Sequence, residues 1–84
     1  MTEQELIIFY GTNWCYDCKR ARRIFSELEI PYVFIDIDQD KAAKDLVKEI
    51  NKGNSSVPTL IFPDHSILVE PSDNELRKKL QSLI

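Results

Sequence analysis

Apolar residues fall in short blocks along the chain, and the blocks follow two different periods. "LIIFY" (Leu6–Tyr10) is an unbroken apolar run with β-branched and aromatic side chains, which predicts a strand covered on both faces. Gly11 breaks the run, and Thr12 and Asn13 suit a turn or a helix cap. From Cys18 onward, Cys18, Ala21, Ile24, Phe25 and Leu28 recur at helical spacing, with Lys19, Arg20, Arg23 and Glu27 mostly off that stripe. This predicts an amphipathic helix ended by Pro31. "YVFIDI" (Tyr32–Ile37) predicts a second buried strand. Asp38 or Asp40 then caps a second helix carrying Ala43, Leu46, Val47 and Ile50, with Asn51 and Gly53 as its stop signal.

The last third follows the same logic. "NKGNSS" is a polar loop, "TLIF" after Pro58 predicts a third strand, "PDHS" a turn, and "ILVE" a fourth strand antiparallel to the third. Pro71 breaks the chain again. Ser72 and Glu75 have capping-box spacing, and Leu76, Leu80, Leu83 and Ile84 give a final helix its apolar face. The order is β-α-β-α-β-β-α. The first β-α-β makes a parallel pair with a right-handed crossover. The closing hairpin extends the same sheet, so the expected fold is α/β, a four-stranded mixed sheet with helices on both faces. Residues 1–84 read as one domain, with no repeat and no low-complexity segment.

Composition narrows the class. The 84 residues are 43% hydrophobic and 30% charged, which suits a folded domain and not a disordered chain. A net charge of −3 argues against nucleic acid as the main partner, and the basic residues after Cys18 form only a local cluster. The polar start "MTEQEL" and the shortness of the Leu6–Tyr10 run predict neither a leader peptide nor a membrane span, hence a cytoplasmic protein.

In that compartment two cysteines spaced by two residues point to catalysis or metal and not to a structural staple. Structural zinc usually takes four Cys or His ligands, and this chain holds Cys15, Cys18 and a distant His65 in a turn. A metal shared between two chains stays open. A Cys15–Cys18 disulfide closes too small a loop to constrain the unfolded chain much. "DIDQD" (Asp36–Asp40) starts like a calcium loop but has Lys41 where glycine is needed and Val47 where glutamate is needed. The redox reading fits best, because the pair sits in the strand-to-helix turn of a β-α-β unit.

Position then separates the two sulfurs. Cys15 falls at or just before the helix start, where free N–H groups and the helix dipole favour a thiolate. In such motifs the thiol pKa drops from roughly 8.5 to about 3.5–7.5. Cys18 continues the apolar stripe and is the less exposed. Cys15 is therefore the attacking thiolate, and Cys18 the resolving thiol that releases product and leaves a Cys15–Cys18 disulfide. Lys19 and Arg22 either assist with positive charge or are simply exposed. Asp17 suits the helix dipole, yet its negative charge disfavours a neighbouring thiolate, so it is expected to make Cys15 less acidic and the pair more reducing. Trp14 shields the thiolate, meets a partner or covers the sheet edge; Tyr10 and Tyr16 line the same groove or pack.

"YGTNWCYDC" after a buried strand, "SVPT" before another and "PSDNEL" at the last helix resemble the glutaredoxins of the thioredoxin-like superfamily, from Leu6 to Leu83. The resemblance implies a thiol-disulfide oxidoreductase that reduces protein disulfides or mixed disulfides. It implies no bound organic cofactor, only a low-molecular-weight thiol (glutathione, mycothiol or similar) or a thioredoxin-reductase-type enzyme as reductant, and a monomer. It implies a cis Val57–Pro58 bond beside the cysteines, with the Val57 backbone pairing with substrate. It also implies a glutathione carboxylate held at Ser72 and Asp73. Trp14 and Tyr16, beside Cys15, are expected to contact substrate. Thr12 stands where glutathione-using members usually have Lys, Tyr16-Asp17 where many have Pro-Tyr, and Glu70-Pro71 where many have Gly-Gly. Those features resemble the mycoredoxin-like branch and the glutaredoxin-like electron donors of ribonucleotide reductase. The alternatives are a dimer holding an iron–sulfur cluster through Cys15, and a donor dedicated to ribonucleotide reductase.

Overall fold

The computed structural model describes residues 6–84, so the polar start at residues 1–5 lies outside the described residues. The described residues form β1 (Ile7–Gly11), α1 (Tyr16–Glu27), β2 (Tyr32–Asp36), α2 (Lys41–Ile50), β3 (Thr59–Ile61), β4 (Ile67–Val69) and α3 (Asp73–Gln81). The sheet runs β2-β1-β3-β4. β1 and β2 are parallel, with Phe9 opposite Phe34, while β1–β3 and β3–β4 are antiparallel. None of these helices is long and apolar enough to cross a membrane.

Strand periodicity explains the layers. Side chains alternate faces along a strand, and β1 is central. Ile7 and Phe9 point to one face and join Cys18, Ile24, Phe25, Leu60, Leu76 and Leu80, so α1 and α3 cover that side. Ile8 and Tyr10 point to the other and join Ile37, Ala43 and Val47 under α2. Phe9, Phe25 and Tyr32 form a tilted aromatic cluster with Phe34 against Phe9. Burying an aromatic of this size contributes about 1.5–3 kcal/mol, so Phe9 and Phe25 anchor the larger core.

Several boundaries differ from the sequence pattern. β1 is shifted by one residue: it includes Gly11, which does not break it but pairs with Asp36. α1 begins at Tyr16, earlier than the apolar stripe indicated, because Cys15 itself is the N-cap. It stops well before Pro31: Glu29 takes a left-handed φ of 56°, and the Ile30 N–H turns back to the Phe25 carbonyl. β2, β3 and β4 each end one residue earlier than the apolar runs. Asp40, not Asp38, caps α2 by accepting the Ala43 N–H. Leu83 and Ile84 lie past the end of α3 and are exposed, as is Leu46 on α2. The apolar face of α3 is therefore Leu76 and Leu80 alone.

The β3–β4 turn is built on Asp64. Its carboxylate accepts the Ser66 hydroxyl at 2.6 Å and N–H at 2.9 Å, and the Lys79 ammonium at 3.2 Å. These contacts hold the carboxyl at about 2, below its ordinary 3.8. A depressed folded pKa means the contribution is present above the unfolded value and is lost as pH falls through about 2. Asp64→Asn is therefore expected to melt lower than the parent at neutral pH, with the gap closing by pH 2. A gap that persists unchanged in acid would refute this account of the turn.

Candidate active site

The site lies at the C-terminal end of β1, where the parallel strand meets α1. Cys15 has extended backbone angles (φ −77°, ψ 119°), as an N-cap requires, and its sulfur accepts the Cys18 N–H at 3.2 Å. One of the free N–H groups of the first helical turn is thereby aimed at sulfur. Both cysteines are free thiols, so the structure is that of the dithiol.

Val57–Pro58 is a cis peptide, and the Val57 carbonyl oxygen lies 3.9 Å from the Cys15 sulfur. The loop that carries it is held from both sides. The Thr59 hydroxyl donates to the Ser56 carbonyl at 2.8 Å, and the Asn51 amide reaches Thr59 Oγ1 at 3.2 Å and the Val47 carbonyl at 2.9 Å. Asn51 does more than stop α2: it ties the helix end to the cis-proline loop.

The expected order of exposure between the two cysteines holds, but Cys15 is more covered than expected, at 8%, with Cys18 at 0%. The cap geometry explains this, since it turns Cys15 inward toward the Cys18 N–H and the Val57 carbonyl. The Cys18 thiol is pushed up to about 12, mainly by burial and then by a hydrogen bond with Cys15, with smaller upward pushes from the charges of Cys15 and Asp17 and a downward pull from the Thr12 backbone. Cys18 is thus a neutral thiol at rest.

Trp14 and Tyr16 flank Cys15 and are 70% and 75% exposed, so neither covers the sheet. Trp14 is nevertheless held in place, because its indole N–H donates to Asp38 at 2.7 Å. Tyr10 packs under α2, where burial and the charge of Asp40 raise its hydroxyl pKa. Arg22 is committed elsewhere: its guanidinium lies over the Phe34 ring at 4.2 Å and donates to the Tyr32 hydroxyl. Lys19 is exposed.

Asp17 and Asp73 meet through a shared cation in a way the sequence did not reveal. Arg20 donates to Asp17 at 2.8 Å and to Asp73, bridging the N-termini of α1 and α3. Asp17 therefore sits on a cation, and its field reaches Cys18. At α3 the Ser72 hydroxyl accepts the Glu75 N–H at 3.2 Å, while the Ser72 N–H donates to Glu75 Oε1 at 2.8 Å. Arg20 lies one turn past Asp17 on a helix surface (the i, i+3 spacing), a signal that finds the first half of this bridge but not its long-range second half. Among the described residues no three His, Cys, Asp or Glu side chains are grouped to hold a metal ion.

The glutaredoxin family model matches residues 7–67. The chain belongs to the glutaredoxin family. Mycoredoxin 1 of Corynebacterium glutamicum is 34% identical over 77 residues, 92% of this chain and 95% of the relative. A Mycobacterium tuberculosis protein that carries the glutaredoxin name is 38% identical over 74 residues, 88% of each chain. Among solved structures, a glutaredoxin from Archaeoglobus fulgidus superposes with a TM-score of 0.68 at 21% identity, covering 96% of this chain and 87% of that one. A thioredoxin-like protein reaches 0.70 at 22% identity, covering 93% and 99%. The last two establish the thioredoxin-like fold of this glutaredoxin.

Proposed function

We propose that this glutaredoxin reduces protein disulfides and mixed disulfides through Cys15, with Cys18 as the resolving thiol. The observation that carries the reading is the Cys15 sulfur at the α1 cap, receiving the Cys18 N–H and lying beside the Val57 carbonyl. An N–H at a helix start stabilises negative charge on sulfur, and the thiolate is the nucleophile. Extended substrate pairs with the Val57 backbone, while Trp14 and Tyr16 supply exposed aromatic surface on either side of the attacking sulfur. Attack gives a mixed disulfide at Cys15, and Cys18 displaces the second half.

The reductant is a low-molecular-weight thiol or a reductase, and the α3 terminus favours a neutral thiol over glutathione. An anion at a helix start needs free N–H donors. Here the capping box takes two of them: Glu75 occupies the Ser72 N–H, and the Ser72 hydroxyl occupies the Glu75 N–H, which leaves those of Asp73 and Asn74. Asp73 and Glu75 place two carboxylates in that first turn, and the nearby Arg20 is shared between Asp17 and Asp73. A further carboxylate from the thiol meets like charge. A hydroxyl-rich thiol such as mycothiol meets none.

Offering the oxidised protein separately to glutathione, a neutral sugar thiol and thioredoxin reductase tests both parts. Reduction of a model disulfide with any of them supports the activity, and the neutral thiol is expected to be the faster of the two small thiols. Glutathione outpacing it would overturn the reading of the α3 terminus. Inactivity with all three would overturn the function.

A further inference from the structure

Arg20 donates to Asp17 in the first turn of α1 and to Asp73 in the first turn of α3. The bridge stands at the cysteine end of the sheet. Asp17 lies between Cys15 and Cys18 in the chain, and its charge reaches the Cys18 sulfur. On the α3 side, the Glu70 N–H, just ahead of the helix, donates to the Pro58 carbonyl at 2.9 Å. Pro58 follows Val57, whose carbonyl lies 3.9 Å from the Cys15 sulfur. The cis-proline loop, the start of α3 and the Arg20 bridge therefore run as one chain of contacts from the Cys15 sulfur back to the residue between the cysteines.

Stability does not account for the bridge. Its side chains are 31% (Arg20), 46% (Asp17) and 48% (Asp73) exposed, and ion pairs so open to water contribute little. A carboxylate at Asp17 also disfavours a neighbouring thiolate. What the arrangement does control is the charge that an incoming thiol meets. A guanidinium is a planar fork of N–H donors that matches a carboxylate with paired bonds. Left free beside the cysteines, Arg20 would hold the carboxylate of an anionic thiol. Here two carboxylates of the chain itself take that place. Arg77 and Lys79 of α3 are committed elsewhere, to Glu27 and Asp64.

We infer that Arg20 is a carboxylate anchor kept occupied by Asp17 and Asp73, and that these two residues set the preference for an uncharged thiol. The inference rests on the reading above, in which a low-molecular-weight thiol reduces the protein beside the α3 terminus. In that reaction two thiols reduce the Cys15–Cys18 disulfide. The first forms an S–S bond with Cys15 as the Cys15–Cys18 bond breaks, and Cys18 takes the electron pair and a proton. The second attacks the sulfur of the first. Cys15 then leaves with the electron pair and a proton, and the small disulfide departs. The thiols are oxidised and the cysteines reduced. Arg20 takes no part in these bond changes; it acts on the remote carboxylate of the thiol.

Glutathione, which carries carboxylates, and 2-mercaptoethanol, which carries none, are compared as reductants of the oxidised protein. The ratio of their rates cancels any change a substitution makes to the cysteines that both thiols meet. Asparagine keeps an oxygen in each place but removes the charge. In Asp17→Asn/Asp73→Asn the ratio is expected to shift toward glutathione by roughly fivefold, the upper range for one part-exposed charge pair, through a lower half-saturating glutathione concentration. Adding Arg20→Gln should remove that gain. The inference is overturned if the double variant keeps the parent ratio. It is equally overturned if the gain survives the loss of Arg20, since relief of repulsion alone does that. Failure of the underlying reading looks different: the parent protein itself is reduced by neither thiol, or already prefers glutathione.

Discussion

Cys15→Ser is expected to lower disulfide reduction to the uncatalysed background, while Cys18→Ser stops at a stable mixed disulfide on Cys15. The two residues occupy different chemistry. The Cys15 sulfur receives the first-turn N–H and sits beside the Val57 carbonyl. A serine hydroxyl there lacks the low pKa that makes a cysteine the nucleophile. Cys18 is fully enclosed and held as a neutral thiol, so it cannot replace Cys15 in attack on an external disulfide. Once the mixed disulfide exists, however, its sulfur is delivered within the chain and needs no access to solvent. Mass spectrometry after mixing with a protein disulfide checks both variants: an adduct on Cys18→Ser, none on Cys15→Ser. An active Cys15→Ser protein beside an inactive Cys18→Ser protein would reverse the roles.

Much of this was readable in residue spacing, and what was not has a common cause. The strands of the sheet follow from apolar runs bounded by Gly, Pro and Asn, and the placing of the cysteine pair at a strand-to-helix turn follows from its position after the first run. Local signals also gave the Ser72–Glu75 capping box, which the structure contains. The misses are long-range. Arg20 reads as one basic residue among several, yet it joins Asp17 to Asp73 across 53 residues of chain. Asn51 reads as a helix stop, yet its amide supports the cis-proline loop. Trp14 is pinned by Asp38 of the β2–α2 connection, a contact set by the parallel crossover and not by any local pattern. Leu83 and Ile84 match the helical period but lie past the end of α3 and stay exposed.

Gly11 is the case in which the sequence pattern misled most, and it carries the second large effect. Glycine after an apolar run suggests a break, but here it continues β1 because a side chain would not fit. An added Cβ would stand 2.9 Å from a Phe9 ring carbon, 3.0 Å from the Cys18 sulfur and 3.0 Å from a Phe34 ring carbon. Alanine suits a strand better than glycine by roughly 0.5–1 kcal/mol. Overpacking a dense core costs about 1–3 kcal/mol, and this steric cost outweighs the gain in backbone preference. Gly11→Ala is therefore expected to destabilise the protein by about 1–2 kcal/mol net, the middle of the roughly 0–2.5 kcal/mol difference between those opposing effects. In a domain of this size that lowers the melting temperature by roughly 4–15 °C. The two rings are part of the rigid aromatic cluster, so much of the displacement falls on the Cys18 side chain. Resolution of a Cys15 mixed disulfide should then slow more than its formation. Adding Phe34→Leu relieves one of the three contacts and should recover part of the melting temperature. It leaves the contact with the Cys18 sulfur in place, so the slow resolution should persist. A Gly11→Ala protein as stable as the parent and as fast to resolve would show that β1 can yield at this point. The close approach of backbone to sulfur would then have no part in placing Cys18.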